Sequence, residues 1–245
     1  MKREDLQFES SNTRHPLVSV EKGRTENQIP KKVPFAVSES YKSIRTNLVS
    51  ALAKRDSKFV AISSPNASEG KSTTSINLAI SLSQINKKVL LIDADVHLPS
   101  VHTKLKLKND EGIMNILSGI STFEESVKQY NSKLDILTTG TIPQNATELF
   151  SIPAFDTLLE ELNEKYDYII FDTPPANLLS DSLVIAQKCG GIVFVVRAGI
   201  TTKEMLRRAV ASSEQLDINI LGVILNGSDY NKNKYRKKYY DSYYG

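Results

Sequence analysis

From Lys58 onward the chain alternates between short unbroken apolar runs and longer stretches in which apolar residues recur every three or four positions. The short runs are KFVAIS (58–63), KVLLID (88–93), LDILTT (134–139), YIIFD (168–172), GIVFVV (191–196) and ILGVIL (220–225). A strand with one wet face shows a polar residue at every second position, whereas an unbroken run belongs to a strand covered on both faces. Such strands, separated by segments of helical period, predict a doubly wound α/β fold around a mostly parallel sheet. Ahead of the first run, SESYKSIRTNLVSALAK spaces Tyr41, Ile44, Leu48 and Leu52 as an amphipathic helix does, with Ser38 as its cap.

The flanks read differently. Residues 1–35 are polar, carry mixed charge and contain Pro16, Pro30 and Pro34, the pattern of a flexible arm. Residues 36–228 hold every apolar run and form the expected single domain, and 229–245 form a tyrosine-rich tail. That tail changes how the overall charge is read. A formal +3 over 245 residues is too small to point to nucleic acid. Within the tail, however, Lys232, Lys234, Arg236, Lys237 and Lys238 face only Asp229 and Asp241, and six of the ten tyrosines stand there. No run approaches the roughly eighteen apolar residues of a membrane span, and MKREDLQFES has no apolar leader, so a cytoplasmic location is expected. The lone Cys189 reads as a buried thiol and leaves no disulfide or cysteine metal site.

In a doubly wound sheet ligands sit beyond the carboxyl ends of the strands. After KFVAIS the chain reads SPNASEGKST and enters a helix with apolar positions Ile76, Leu78, Ala79, Leu82 and Ile85. Phosphate binding needs converging N–H groups at a helix start, a glycine where a side chain would collide, a lysine on the outer phosphates and a hydroxyl for Mg²⁺. Gly70, Lys71 and Ser72 supply the last three, although Pro65 replaces the first glycine of the usual pattern. The run KVLLIDADVHLP delivers Asp93 and Asp95 two apart, suited to metal and base work. YIIFDTPP delivers Asp172 where a P-loop protein holds its Mg²⁺. Any one of these acids alone could be a helix cap; three at buried strand ends need a cation.

These segments, with VVRAGITTKE and GVILN, resemble the bacterial tyrosine kinases of capsule and exopolysaccharide synthesis, from about Ser38 to Asn226. The resemblance implies a deviant-Walker P-loop fold of the MinD/ParA-like type and ATP with Mg²⁺ as cofactors. It implies autophosphorylation in trans within a ring-shaped homo-oligomer, an octamer in the family, and recruitment to the inner face of the membrane by a membrane-anchored chain-length regulator. Protein tyrosines are the substrates and a phosphotyrosine phosphatase the counterpart. By the same resemblance Lys71 contacts the phosphates, Ser72 binds Mg²⁺ and Asp93 is the base. Asp95 supports the site, Asp172 orients a metal-bound water, and Asn226 faces the adenine. The nucleotide-binding set is then Ser68, Glu69, Gly70, Lys71, Ser72, Thr73 and Asn226; the metal set is Ser72, Asp93 and Asp172. The segment ESYKSIR matches the family's oligomerisation element, with Glu39 and Arg45 in place and Lys42 where arginine is usual. Other departures are Ala67 and Ser68 for Pro-Gly, and His97 for an arginine after the second acid. His97 either packs at a strand exit or makes turnover sensitive to pH between about 5 and 8. His15 and His102 read as solvated. The phosphoacceptors are Tyr230, Tyr235, Tyr239, Tyr240, Tyr243 and Tyr244.

A P-loop site by itself does not separate transfer to tyrosine from transfer to water, since both need the same positioned phosphates and metal. A partitioning or positioning ATPase with a basic tail, and a scaffold that holds nucleotide without turnover, are the alternatives. Six tyrosines on a tether favour the kinase, because tethering raises their local concentration beside a base.

Overall fold

The computed structural model describes residues 35–228; the earlier arm and the later tail, with His15 and the six tail tyrosines, lie outside the described residues. Within these, one seven-stranded sheet is built from β1 (Phe59–Ser63), β2 (Val89–Asp93), β3 (Lys128–Asn131), β4 (Leu134–Leu137), β5 (Tyr168–Asp172), β6 (Ile192–Arg197) and β7 (Ile220–Asn226). The order across it is β3-β4-β2-β5-β1-β6-β7, all neighbours parallel except β3, which runs antiparallel to β4. Each of the six apolar runs is a strand. The seventh, β3, has the sequence KQYN and shows no apolar signal because it lies at the edge with no fully buried residue.

Eight α-helices are described: α1 (Phe35–Ala53), α2 (Lys71–Ser83), α3 (Val101–Leu105), α4 (Ile113–Leu117), α5 (Phe123–Ser126), α6 (Pro153–Lys165), α7 (Asp181–Gln187) and α8 (Lys203–Glu214). They cover the sheet on both sides. On one face Val60, Ile62, Val89, Leu91 and Ile170 meet Leu48 and Leu52 of α1 and Ile76, Leu78 and Leu82 of α2. On the other, Leu90, Ile92, Ile169 and Phe171 meet Phe155, Leu158 and Leu162 of α6, and Ala61, Ile192 and Phe194 meet α7 and α8. Successive strand residues therefore go to opposite cores, which is why the runs are unbroken. Each fully buried leucine or isoleucine contributes about 1.5–3 kcal/mol relative to exposure, so these two layers fix the strand order rigidly enough to hold a site at its upper edge.

Helix α1 begins at Phe35, so Ser38 lies inside its first turn and does not cap it as expected. Packing decides helix ends more than a single hydroxyl does, and the half-buried Val37 is gathered into the helix. Cys189, just past the end of α7, is partly rather than fully buried; it packs against two of the cores, and the burial of its thiol pushes the pKa well above the usual range.

Candidate functional site

The register places Asp93, the last residue of β2, directly opposite Asp172, the last of β5. Neighbouring strands are about 4.8 Å apart, so the fold holds two carboxylates side by side at the carboxyl edge of the sheet. Between β1 and α2 the chain makes the phosphate loop, and Gly70 enters α2 with φ 96. That is a left-handed conformation, and a Cβ there would stand 2.1 Å from Asn226 Nδ2, so only glycine fits. Lys71 and Ser72 then open the helix, and Lys71 Nζ reaches Asp95 Oδ2 at 2.6 Å.

The electrostatics are those of a crowded anionic pocket around one cation. Burial alone would lower the Lys71 ammonium, but the charges of Asp172, Asp95 and Asp93 outweigh it and hold its pKa above the usual value. Burial, reinforced by the charge of Asp172, pushes the Asp93 carboxyl up to about 7, against the pull of the Val101 N–H and Lys71. Asp172 is also raised by burial, with Lys71 opposing.

Each acid has a distinct set of partners. Asp93 Oδ2 accepts the N–H groups of Ser100 and Val101 at 3.0 and 2.9 Å, while its Oδ1 has only a long 3.4 Å contact from the Asp95 N–H. Asp95 Oδ1 accepts the N–H groups of His97 and Leu98 at 3.2 and 2.9 Å, leaving Oδ2 to Lys71. Asp172 Oδ1 accepts the Ser75 hydroxyl at 3.0 Å, and Oδ2 is buried with no hydrogen-bond partner. A buried carboxylate oxygen left over beside a helix start, a bare glycine and a lysine is a fit for a polyphosphate accompanied by a hard cation.

Of the candidate nucleotide-binding residues, Ser68, Glu69, Gly70, Lys71, Ser72 and Thr73 form the loop and the first turn of α2, and Asn226 comes to them from the end of β7. The Asn226 amide donates to the Glu69 carbonyl at 3.0 Å. The Glu69 carboxylate is turned into the protein, toward the Asn66 N–H and Thr201, so its backbone is what faces a ligand. Ser68 is exposed and holds φ 64, a conformation that favours the glycine usual at this position. His97 does more than pack: its Nε2 lies 3.0 Å from Oδ2 of the buried Asp181 at the start of α7. His102 is half-buried, with Nδ1 enclosed and unpartnered and Nε2 3.0 Å from the Thr103 hydroxyl, contrary to the solvated reading. The α1 trio is divided. Glu39 and Lys42 pair with each other at 2.6 Å on the exposed side, whereas Arg45 donates to the Ser81 carbonyl of α2 at 2.7 Å.

Sequence reasoning missed Ser75, Asp181, Arg197 and Thr201. Ser75 was accessible, since it lies one helical turn beyond Lys71. The other three come from distant segments whose approach depends on the sheet order.

The comparisons with known proteins agree with this geometry. The family described as AAA domain matches residues 57–194. Tyrosine-protein kinase YwqD of Bacillus subtilis is 41% identical over 196 residues, covering 80% of this chain and 83% of its own. Putative tyrosine-protein kinase CapB of Staphylococcus aureus is 32% identical, covering 85% and 92%. Among solved structures, the kinase domain of Escherichia coli tyrosine kinase ETK superposes with a TM-score of 0.77 at 30% identity, covering 84% of this chain and 83% of that one. The Aquifex aeolicus MinC:MinD cell division complex, at 24% identity and a TM-score of 0.60 with 72% of each chain covered, shares the fold. Among the described residues no helix is long and apolar enough to cross a membrane. With the phosphate loop and both acidic strand ends in register, and identity of this level across most of both sequences, the chain belongs to the bacterial tyrosine-protein kinases.

Proposed function

We propose that this chain is an ATP-dependent protein-tyrosine kinase that phosphorylates the tail tyrosines of a second copy, and that it controls capsule or exopolysaccharide synthesis. The observation that carries the reading is the cluster of Lys71 with Asp93, Asp95 and Asp172, built at the end of a phosphate loop in a chain related to named tyrosine kinases. ATP binds with its phosphates over the N–H groups of the loop, and Lys71 exchanges Asp95 for the outer phosphate oxygens. Mg²⁺ would be held by the Ser72 hydroxyl with Asp93 and Asp172, and would supply neutralisation of phosphate charge.

A tyrosine hydroxyl in line with the γ-phosphate gives its proton to Asp93 Oδ1. A phenol near pKa 10 needs such an acceptor, and Asp93, whose Oδ1 has only one long contact, is placed to serve as one. The new O–P bond forms as the bond to the β-phosphate oxygen breaks, and ADP leaves. Asn226 lines the base pocket. Subunits assemble through the exposed side of α1, and a membrane-anchored regulator brings the assembly to the inner face of the membrane.

The test is incubation with MgATP followed by an anti-phosphotyrosine blot, with and without the cytoplasmic segment of a candidate membrane regulator. A phosphotyrosine signal that depends on Lys71 supports the kinase. ADP release without phosphotyrosine, in the presence of the regulator, would make the chain a nucleotide switch.

A further inference from the structure

Ser68 and Glu69 of the phosphate loop are gripped from outside the loop by three side chains, those of Arg197, Asn226 and Thr201. Arg197, the last residue of β6, donates from Nη1 to the Ser68 carbonyl at 3.2 Å. Asn226 donates to the Glu69 carbonyl, and Thr201, in the turn between β6 and α8, donates its hydroxyl to Glu69 Oε1. The other Glu69 oxygen accepts the Asn66 N–H at 2.9 Å. Glu69 is 1% exposed, and a carboxylate so enclosed is tolerated only when its oxygens are hydrogen-bonded.

Thr201 is committed to this task by its own surroundings. Its oxygen accepts the Arg197 N–H at 2.7 Å, and its N–H returns to the Arg197 carbonyl at 2.9 Å, closing the turn. The hydroxyl has one proton, and it goes to Glu69. A bond from a rigid turn to a carboxylate is of the charge-assisted kind, stronger than a neutral pair.

The bond matters because of what it holds. Ser68 occupies the left-handed region at φ 64, an unfavourable conformation for a residue with a side chain. Such a conformation persists only where its surroundings over-determine it. The β6–α8 turn thereby holds the loop in that shape before any ligand arrives, which is preorganisation by residues beyond the loop itself.

We infer that Thr201 is a positioning residue of the nucleotide site, acting through the Glu69 carboxylate to fix the conformation of residues 66–70 and thereby the affinity for the phosphates. The inference rests on the nucleotide-binding part of the proposed function and on no assumption about the acceptor. Thr201→Val keeps the shape and removes the proton; Thr201→Ser restores it. In the full chain, Thr201→Val weakens MgADP binding about tenfold, the scale of one lost charge-assisted hydrogen bond. It raises KM for ATP by a similar factor and changes kcat at saturating ATP by less than about twofold.

Without nucleotide, amide hydrogen exchange at residues 66–70 accelerates several-fold while the exchange of β1, β2 and β5 is unchanged. That control also shows the variant is folded. Thr201→Ser returns both readings toward the wild type, and adding Thr201→Val to Glu69→Gln produces little further loss. MgADP affinity within twofold of the wild type, exchange that accelerates only at residues 197–202, or failure of serine to rescue would overturn the assignment. A wild-type chain that binds no MgADP would remove the proposed function instead, and the exchange measurement would still decide whether Thr201 holds the loop.

Discussion

Lys71 Nζ lies 2.6 Å from Asp95 Oδ2 in an ion pair whose side chains are 11% and 3% exposed. The lysine that serves the phosphates is thus also the cation that keeps three buried carboxylates tolerable in the nucleotide-free chain. From the sequence, the charge of Lys71 serves the phosphates and not the core, so its loss is expected to leave the fold intact. The structure gives it a second role in stability.

Lys71→Met should therefore do two things. Phosphotyrosine formation should disappear, and the nucleotide-free variant should be less stable at pH 7 by about 3 kcal/mol, the scale of removing one partner from a buried pair. The stability gap should narrow at pH 5, where the stranded carboxyls take up protons. Equal melting temperatures for variant and wild type at pH 7 would show that the lysine has no such role.

Asp93 gives a pH dependence with a defined sign. Its folded pKa, raised to about 7, exceeds its value near 3.9 in the unfolded chain. Between those values the folded state holds a proton that the unfolded state has lost, so this group's contribution to stability falls as pH rises from about 4 to about 7. Asp93→Asn, which keeps the acceptor for Ser100 and Val101, should remove that fall in the metal-free chain. At pH 8 the variant should melt above the wild type, near pH 4 the two should coincide, and transfer should be lost throughout. A wild type that gains stability relative to the variant between pH 5 and 7 would sink the assignment.

The strands were legible because two-sided burial writes an unbroken apolar run, and the phosphate loop because Gly70, Lys71 and Ser72 are contiguous. The acids were legible because strand ends deliver them. What pairs with what was hidden. Lys71 chooses Asp95 across 24 positions, Ser75 meets Asp172 across 97, and Thr201 meets Glu69 across 132, each set by strand order and not by local pattern. Edge strand β3 was hidden for the converse reason, since a strand with no fully buried face needs no apolar signature.

On α1 the structure separates two effects that the sequence joins. Arg45 is bound to the Ser81 carbonyl and hydroxyl of α2, at 2.7 and 3.3 Å, so Arg45→Ala should loosen α1 from the domain and lower stability by about 1–2 kcal/mol. Glu39 and Lys42 form an exposed pair, and their joint change to alanine should alter stability by less than about 0.5 kcal/mol. If these two serve subunit contact, that double change should shift sedimentation toward smaller species while the melting temperature holds. An unchanged assembly would leave the Glu39–Lys42 pair as a local surface contact.

The tail lies outside the described residues, but its point of departure does not. Strand β7 ends at Asn226, whose amide is bonded to the phosphate loop, so the chain leaves the domain at the rim of the crevice. From Asp229 to Asp241 five basic residues and two acidic ones give a net +3, a charge that would favour docking on a neighbour's pocket lined by Asp93, Asp95 and Asp172. Each phosphotyrosine adds about −1.5 to −2 at neutral pH, so three are enough to reverse the sign of the tail. Screening limits such repulsion to about 8 Å at physiological salt, and the effect must act at the docking pocket itself. Phosphorylated protein should accordingly elute later than the unmodified form in size-exclusion chromatography. Replacing Tyr230, Tyr235, Tyr239, Tyr240, Tyr243 and Tyr244 by phenylalanine should hold the larger form after incubation with MgATP. If the all-phenylalanine chain dissociates all the same, turnover at the nucleotide site controls assembly and the charge of the tail does not.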